Sequence, residues 1–303
     1  MSGSVPSLRV AAQAKINLCL LLGPLRDDGY HEVMTVILPV ELADSVSIGP
    51  STAAVDEVVC PGVEGDNLAA TALRLFREHS GWDGPPVRIE IEKRVPVAAG
   101  MGGGSADAAA ALRLIGEVSA MAGSGVAERI APLIGADVPA MLDGRPVLAT
   151  GIGERLEPLP DPFACGLLIL PARGGLSTPA VFSRAGELGL RREQSDLERA
   201  AMEVRSAAAS AGWLPPVDLV GLNDLGVAAA DLSIEVGDSL RTAHDCGADR
   251  AFVTGSGPTV VGLFEGRDGF GRAQEAEARL EGRAPRAIAC RLSDGCGTIE
   301  AVQ

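Results

Sequence analysis

The sequence predicts an α+β fold in two domains, residues 1–160 and 161–303, on three observations. Strand-like and helix-like runs are mixed without the regular alternation of a parallel α/β sheet. At 303 residues, 47% of them hydrophobic, the chain can bury more than one core. A proline cluster from Pro158 to Pro162 interrupts it near the middle and marks the boundary.

The first strand is residues 8–22, LRVAAQAKINLCLLL, and the second Val33 to Leu42. The turn Arg26-Asp-Asp-Gly29 joins them as a hairpin, with Tyr30 and His31 just past its tip. A short strand, Ser45 to Ile48, follows. Asp66 or Asn67 caps a helix from Leu68 to His79. Residues 87–93, VRIEIEK, alternate as a strand should, and the alanine-rich run after Ser105 predicts a helix to about Met121. Another helix is expected from Gly125 to Ile134, and Pro139, two residues beyond Asp137, places that aspartate at a terminus. A strand over Pro146 to Thr150 completes the first half.

The second half opens with a buried-strand run, Cys165 to Leu170. A short helix starts at Ser177-Thr178-Pro179 and carries Phe182. Helical sequence is expected from Asp196 to Ser210 and from about Leu222 to Cys246. The end reads as strand (Ala251 to Thr254), glycine turn, strand (Thr259 to Phe264), helix (Phe270 to Leu280) and strand (Arg286 to Leu292).

Charge narrows the partners. Forty acidic against 26 basic residues give −14, which argues against a general nucleic-acid or anionic-membrane binder. No run approaches the roughly 20 apolar residues of a membrane span, and MSGSVPSLRV lacks a signal-peptide core, so a cytoplasmic location is expected. Six scattered cysteines without a CxxC pair read as reduced packing thiols.

The most informative stretch is RVPVAAGMGGGSADAAAA, residues 94–111. A strand entering glycines and then a helix makes an anion site. Glycine lets backbone approach a ligand, and the helix start offers unpaired N–H groups at the positive end of its dipole. Phosphate is the natural guest. Two better-known loops do not fit: no lysine follows, as a Walker A loop requires, and Ser105 stands where a dinucleotide fingerprint needs glycine or alanine. Taken alone, the loop can equally be a turn capping a packed helix.

Only two of the 26 basic residues are lysines, Lys15 and Lys93. A chain so biased towards arginine should keep lysine where a compact point charge is needed beside phosphate or a reacting group. Lys15 and Asn17, two apart in a strand, share one face. Tyr30 is the single tyrosine and adjoins His31.

Together these segments resemble a family. Pro96-x-x-x-Gly100-Met-Gly102-Gly-Gly-Ser105-Ala106 resembles the central phosphate loop of the kinases named for galactose, homoserine, mevalonate and phosphomevalonate, the GHMP superfamily. Val253-Thr-Gly-Ser-Gly-Pro-Thr-Val-Val261 resembles that superfamily's C-terminal glycine motif. The segments AKINL (14–18), DGYHE (28–32), GADVP (135–139) and ATGIGE (149–154) narrow the resemblance to the branch acting on a cytidylyl polyol. It covers nearly the whole chain, with its motifs in the expected order.

The resemblance implies a two-domain α+β kinase with its active site in the interdomain cleft. ATP is the implied phosphoryl donor, with Mg2+ carried by the nucleotide. The implied acceptor is the 2-hydroxyl of cytidine diphosphate-methylerythritol, in the non-mevalonate route to isoprenoid precursors. Asp137 matches the catalytic aspartate and Lys15 its partner. Asn17, Tyr30, His31, Thr178 and Phe182 match positions that hold the acceptor. Pro96, Val97, Ala98, Ala99, Gly100, Met101, Gly102, Gly103, Gly104, Ser105 and Ala106 match the ATP phosphate loop, while Lys93 and Asn67 fall near the base. The chain departs from the pattern at Ala106, where the family often has a second serine, and at Ala98 and Ala99, where glycines are common.

The residue types suit the chemistry. Phosphoryl transfer needs positioning, charge neutralisation and a group that accepts the hydroxyl proton, here Asp137 with Lys15 beside it. Tyr30 and Phe182 offer aromatic surfaces for a pyrimidine, and His31 can hydrogen-bond its edge. Two other readings stand beside this one. One is a GHMP-type kinase for another small alcohol, of the homoserine or mevalonate class. The other is a non-catalytic nucleotide-binding homologue in which Lys15 and Asp137 are a structural ion pair. A monomer or weak homodimer is expected.

Overall fold

Two long apolar strands carry the architecture, β1 (Leu8–Leu25) and β2 (His31–Pro50), paired antiparallel as one hairpin. The computed structural model describes residues 5–302 except 64, 162, 211, 212 and 214, so Pro162 of the proline cluster lies outside the described residues. The expected short strand at 45–48 is the far half of β2. It is continuous because β2 has two partners in succession: β4 (Val87–Glu92) along Ser45 to Pro50, and β5 (Val147–Gly151) along Val33 to Ile37. Pro39 is tolerated inside β2 because the register shifts there, between Gln13 and Lys15 of the partner strand.

The first half adds β3 (Glu57–Val59) and β6 (Arg155–Pro158), both too short for periodicity to reveal, and helices α1 (Leu68–Ser80), α2 (Gly103–Val118), α3 (Val126–Ile134) and α4 (Val138–Asp143). Helix α4 was not expected from the sequence. Its first turn accommodates Pro139 because the N–H groups there have no intrahelical acceptor. The second half comprises β7 (Cys165–Leu170), α5 (Thr178–Glu187), α6 (Gln194–Ala208), α7 (Asp224–Leu232), α8 (Ile234–Asp245), β8 (Arg250–Val253), β9 (Val260–Glu265), α9 (Gly269–Arg279), β10 (Ile288–Cys290) and β11 (Glu300–Ala301). The long helical run expected over 222–246 is two helices, divided at the extended Ser233.

These strands form two sheets. A seven-stranded sheet runs β11-β1-β2-β4-β3 with β5 and β6 off β2, and a four-stranded sheet runs β10-β7-β9-β8. α1 to α4 cover the first sheet, and α2 packs closely because Ala108, Ala109, Ala110 and Ala111 put only methyl groups into that core. β1 reaches towards the second half as well: Leu20 N–H donates to Leu222 O, and Gly221 N–H donates to Leu18 O. Among the described residues no helix is long and apolar enough to cross a membrane, and the six cysteines are free thiols.

Candidate active site

Lys15 stands on β1 between two register shifts, Gln13/Lys15 and Asn17/Cys19, irregularities of a kind that re-aims side chains next to active sites. The residue is only 4% exposed. Its Nζ donates to Asn17 Oδ1 at 2.6 Å and to Gly100 O at 3.2 Å, and lies 3.5 Å from Asp137 Oδ2. Asp137 is the N-cap residue of α4, yet its side chain makes no capping bond. The carboxylate, 38% exposed, is left free towards a cavity of about 330 Å³. Lys15, Asn17, Gly100, Ser105, Asp137, Thr178 and Phe182 all line that cavity.

The glycine loop reaches this point because two glycine motifs lie backbone against backbone. A Cβ at Gly100, whose φ is 75°, would fall 2.5 Å from Thr254 O and 2.9 Å from Gly257 O; one at Gly255 would fall 2.8 Å from Gly100 O. Neither position admits a side chain. The second turn is closed by Thr254 N–H donating to Thr259 O, and Thr254 Oγ1 accepts from Asn17 N–H at 2.9 Å. Ala98 adopts φ 54°, a left-handed conformation for a residue with a Cβ, which glycine would adopt without strain.

On the other side of the loop Lys93 sits between two carboxylates, bonded to Asp44 and, at 2.8 Å, to Asp107. Asp44 also accepts from Arg94 N–H at 2.6 Å and Val95 N–H at 2.8 Å, tying the loop's first residues down. One ammonium cannot satisfy two buried anions equally. Asp44 has two backbone donors as well, whereas Asp107 retains a buried Oδ1 without a partner among the described residues. Burial therefore pushes Asp107 up to about 7 despite Lys93. For Lys93 burial acts downwards, but its bonds to Asp107 and Asp44 outweigh that and raise it. A second cavity of about 120 Å³ opens beside this cluster, lined by Asn67, Lys93, Pro96, Val97, Ala98, Ala99, Gly103, Gly104 and Asp107. Asn67 is the N-cap of α1, its Oδ1 accepting from Ala69 N–H.

The remaining residues singled out from the sequence are placed differently. Thr178 Oγ1 and Ser256 Oγ are 2.9 Å apart, linking the start of α5 to the second glycine turn. His31 and Phe182 stand with ring centroids 5.8 Å apart. His31 Nδ1 lies 3.1 Å from Gly23 O; a carbonyl only accepts, so Nδ1 carries a proton and Nε2 is the nitrogen left free for another partner. Tyr30 is 62% exposed and lines neither cavity. Met101 and Ala106 are turned into the core, Ala106 with its N–H on Gly102 O, and Gly102 is the left-handed N-cap of α2.

Sequence reasoning did not single out Thr35, Asp44 or Asp107, and it read Ser256 and Ile152-Gly153 only as parts of motifs; the latter turn lines the larger cavity and is held by Glu154 Oε2 accepting Ile152 N–H at 2.6 Å. Asp44 carried at most a weak signal, an acid two residues beyond the apolar run that ends at Leu42, with Glu41 beside it. Thr35 carried none, since threonine is ordinary in strands.

Comparison with known proteins follows the same lines. Residues 67–145 match the model for the GHMP kinases N terminal domain. The 4-diphosphocytidyl-2-C-methyl-D-erythritol kinase of Nocardia farcinica is 40% identical over 278 residues, covering 88% of this chain and 89% of the relative. The enzyme of the same name from Kineococcus radiotolerans is 38% identical over 270 residues, covering 84% of this chain and 81% of the relative. A crystal structure of 4-(cytidine 5'-diphospho)-2C-methyl-D-erythritol kinase superposes with a TM-score of 0.75 at 31% identity, covering 95% of this chain and all of that one.

Proposed function

Because the chain belongs to the 4-diphosphocytidyl-2-C-methyl-D-erythritol kinase family and is an ATP-dependent small-molecule kinase, we propose that it phosphorylates the 2-hydroxyl of 4-diphosphocytidyl-2-C-methyl-D-erythritol. That step serves the non-mevalonate route to isoprenoid precursors. The observation that carries the proposal is the Lys15–Asp137 pair, 3.5 Å apart, sharing one cavity with Gly100 and Ser105 at the start of α2.

In this reading the acceptor oxygen attacks the γ-phosphorus while the bond from that phosphorus to the β,γ-bridging oxygen breaks and ADP leaves. Asp137 takes the hydroxyl proton, and Lys15 offsets the negative charge gathering between carboxylate and phosphate. The loop and the N-terminus of α2 hold the phosphates through backbone N–H groups. The Ser105 hydroxyl is an oxygen donor of the kind Mg2+ accepts beside phosphate oxygens, and the ion, when bound, would neutralise phosphate charge.

The two cavities divide the substrates. The adenine end of ATP is assigned to the smaller one, with Asn67 and Lys93, and the erythritol end of the acceptor to the larger, near Thr178. Cytosine is assigned to the mouth beyond Phe182, where His31 offers Nε2 and the exposed Tyr30 offers its ring. We assign the two sheets to the two domains, 1–160 and 161–303, with the cleft between them and the final strand returning to the first sheet.

The test is a kinase assay with purified protein, Mg-ATP and a panel of 4-diphosphocytidyl-2-C-methyl-D-erythritol, homoserine and mevalonate. The expected result is turnover of the cytidylyl acceptor with kcat/KM at least about 100-fold above the others, since a site built to bond a polar substrate rejects one lacking the group. Preferred turnover of homoserine or mevalonate would replace the acceptor, and absence of turnover on all three would favour a nucleotide-binding role.

A further inference from the structure

We propose that Thr35, a residue of β2 that touches no reacting atom, is a positioning residue for phosphoryl transfer because its hydroxyl fixes the donor–acceptor order that aims the Lys15 ammonium. The inference rests on the roles proposed above for Lys15 and Asp137. Thr35 is 4% exposed and lines the larger cavity. Its Oγ1 is 2.6 Å from Cys19 O and 2.8 Å from Asn17 Nδ2.

These contacts admit one arrangement of hydrogens. A carbonyl only accepts, so the single Thr35 proton goes to Cys19 O, and Oγ1 is left as a pure acceptor towards Asn17. Asn17 must therefore present its NH2 to Thr35 and its Oδ1 to the opposite side, where Lys15 Nζ lies 2.6 Å away. With one ammonium proton on Asn17 Oδ1, the other two face Gly100 O at 3.2 Å and Asp137 Oδ2 at 3.5 Å. A polar chain thus runs from the Cys19 carbonyl through Thr35 and Asn17 to Lys15. Without the hydroxyl, the NH2 of Asn17 loses its acceptor in a buried site. The amide can then turn over, and its NH2 would oppose the ammonium donor to donor.

The test compares Thr35→Val, which keeps the shape and removes the hydroxyl, with Thr35→Ser, which keeps the hydroxyl. Each is made in the full chain, alone and combined with Lys15→Met. The kinase assay with 4-diphosphocytidyl-2-C-methyl-D-erythritol reads kcat and KM, and thermal melting reads folding. Expected are a fall in kcat of about 10-fold for Thr35→Val, KM values within about 2-fold, and recovery in Thr35→Ser. In the Lys15→Met background Thr35→Val should change kcat by less than about 2-fold, because its effect passes through the ammonium.

Unchanged kcat in Thr35→Val, or the same fall whether or not Lys15 is present, overturns the proposal. So does a fall in kcat that tracks melting temperature and is shared by the serine variant. Failure of the underlying reading is distinguishable, since it appears as wild-type kcat in Lys15→Met itself.

Discussion

The chain's two lysines lie on opposite sides of one glycine loop, and their carboxylate partners differ in exposure. Lys15 is the more buried, yet its carboxylate partner Asp137 is 38% exposed and faces a cavity; the side chain of Lys93 is 14% exposed, and its partners Asp44 and Asp107 are buried at 0% and 5%. Burial of the cation therefore does not separate chemistry from architecture. What separates them is whether the anion has room to exchange a proton with something that arrives. An open carboxylate can be reached by a substrate hydroxyl, whereas a sealed ion cluster holds two segments together and is expensive to break.

That contrast can be broken most directly by removing each ammonium in turn. Lys93→Met leaves two buried carboxylates with one cation fewer and should lower stability by about 3–5 kcal/mol. Lys15→Met should lower it by only about 1–2 kcal/mol, mainly for the Asn17 oxygen left without a donor, while reducing kcat at least about 100-fold. Chemical denaturation and steady-state kinetics on both variants check the pair, and equal stability losses would erase the distinction.

A substitution in the loop between the lysines should damage both properties at once. Gly100→Ala places a Cβ 2.5 Å from Thr254 O at φ 75°. The expected cost is about 1–3 kcal/mol of backbone strain, with kcat reduced because Gly100 O also receives Lys15. A variant with wild-type melting and turnover would show that the two glycine turns are not held in contact.

The sealed cluster should also make itself felt as a pH dependence of stability. Burial raises Asp107 in the folded state to about 7 from an ordinary 3.8. The folded protein then binds a proton more tightly than the unfolded chain. The stability this gives is fully present below about pH 4 and is lost as pH rises towards 7. Asp107→Asn should flatten that part of the profile, as urea denaturation at several pH values would read. A wild-type profile rising over the same window, with no change on substitution, would contradict the assignment.

The smallest effect concerns Ala98 at φ 54°. Ala98→Gly relieves a left-handed alanine but adds freedom to the unfolded chain, so stability should rise by no more than about 1 kcal/mol. A measured loss of more than that would mean the Ala98 methyl contributes packing that outweighs its strain.

Much of this was legible in the residues themselves. The hairpin of β1 and β2, the strand–loop–helix passage at residues 87–118 and the terminal position of Asp137 follow from alternation, glycine and proline chemistry, and the structure has each of them. Lys15 and Asn17 share a strand face, as spacing requires, and meet at 2.6 Å. The arginine bias drew attention to both lysines, but composition could not say that one would be clamped by Asp44 and Asp107, which lie 49 and 14 residues away in sequence. Nor could it show that Gly100 and Gly255 need glycine on each other's account, since that contact exists only once the two halves meet. The Ser45 to Ile48 strand reads apart from the rest of β2 because Ala43-Asp44 follows the apolar run that ends at Leu42. Asp44 stands there for a reason that only the structure supplies, namely that it turns inward to hold Lys93 and the loop.

The measurement that bears most directly on the catalytic assignment is a single-turnover transfer of γ-phosphate from ATP to 4-diphosphocytidyl-2-C-methyl-D-erythritol by Asp137→Asn, with melting temperature and ATP affinity recorded alongside. The account expects transfer at least about 100-fold slower than in the unaltered protein, with folding and ATP binding essentially unchanged. Transfer at the unaltered rate by the folded variant would contradict it and leave Lys15 and Asp137 as a structural pair.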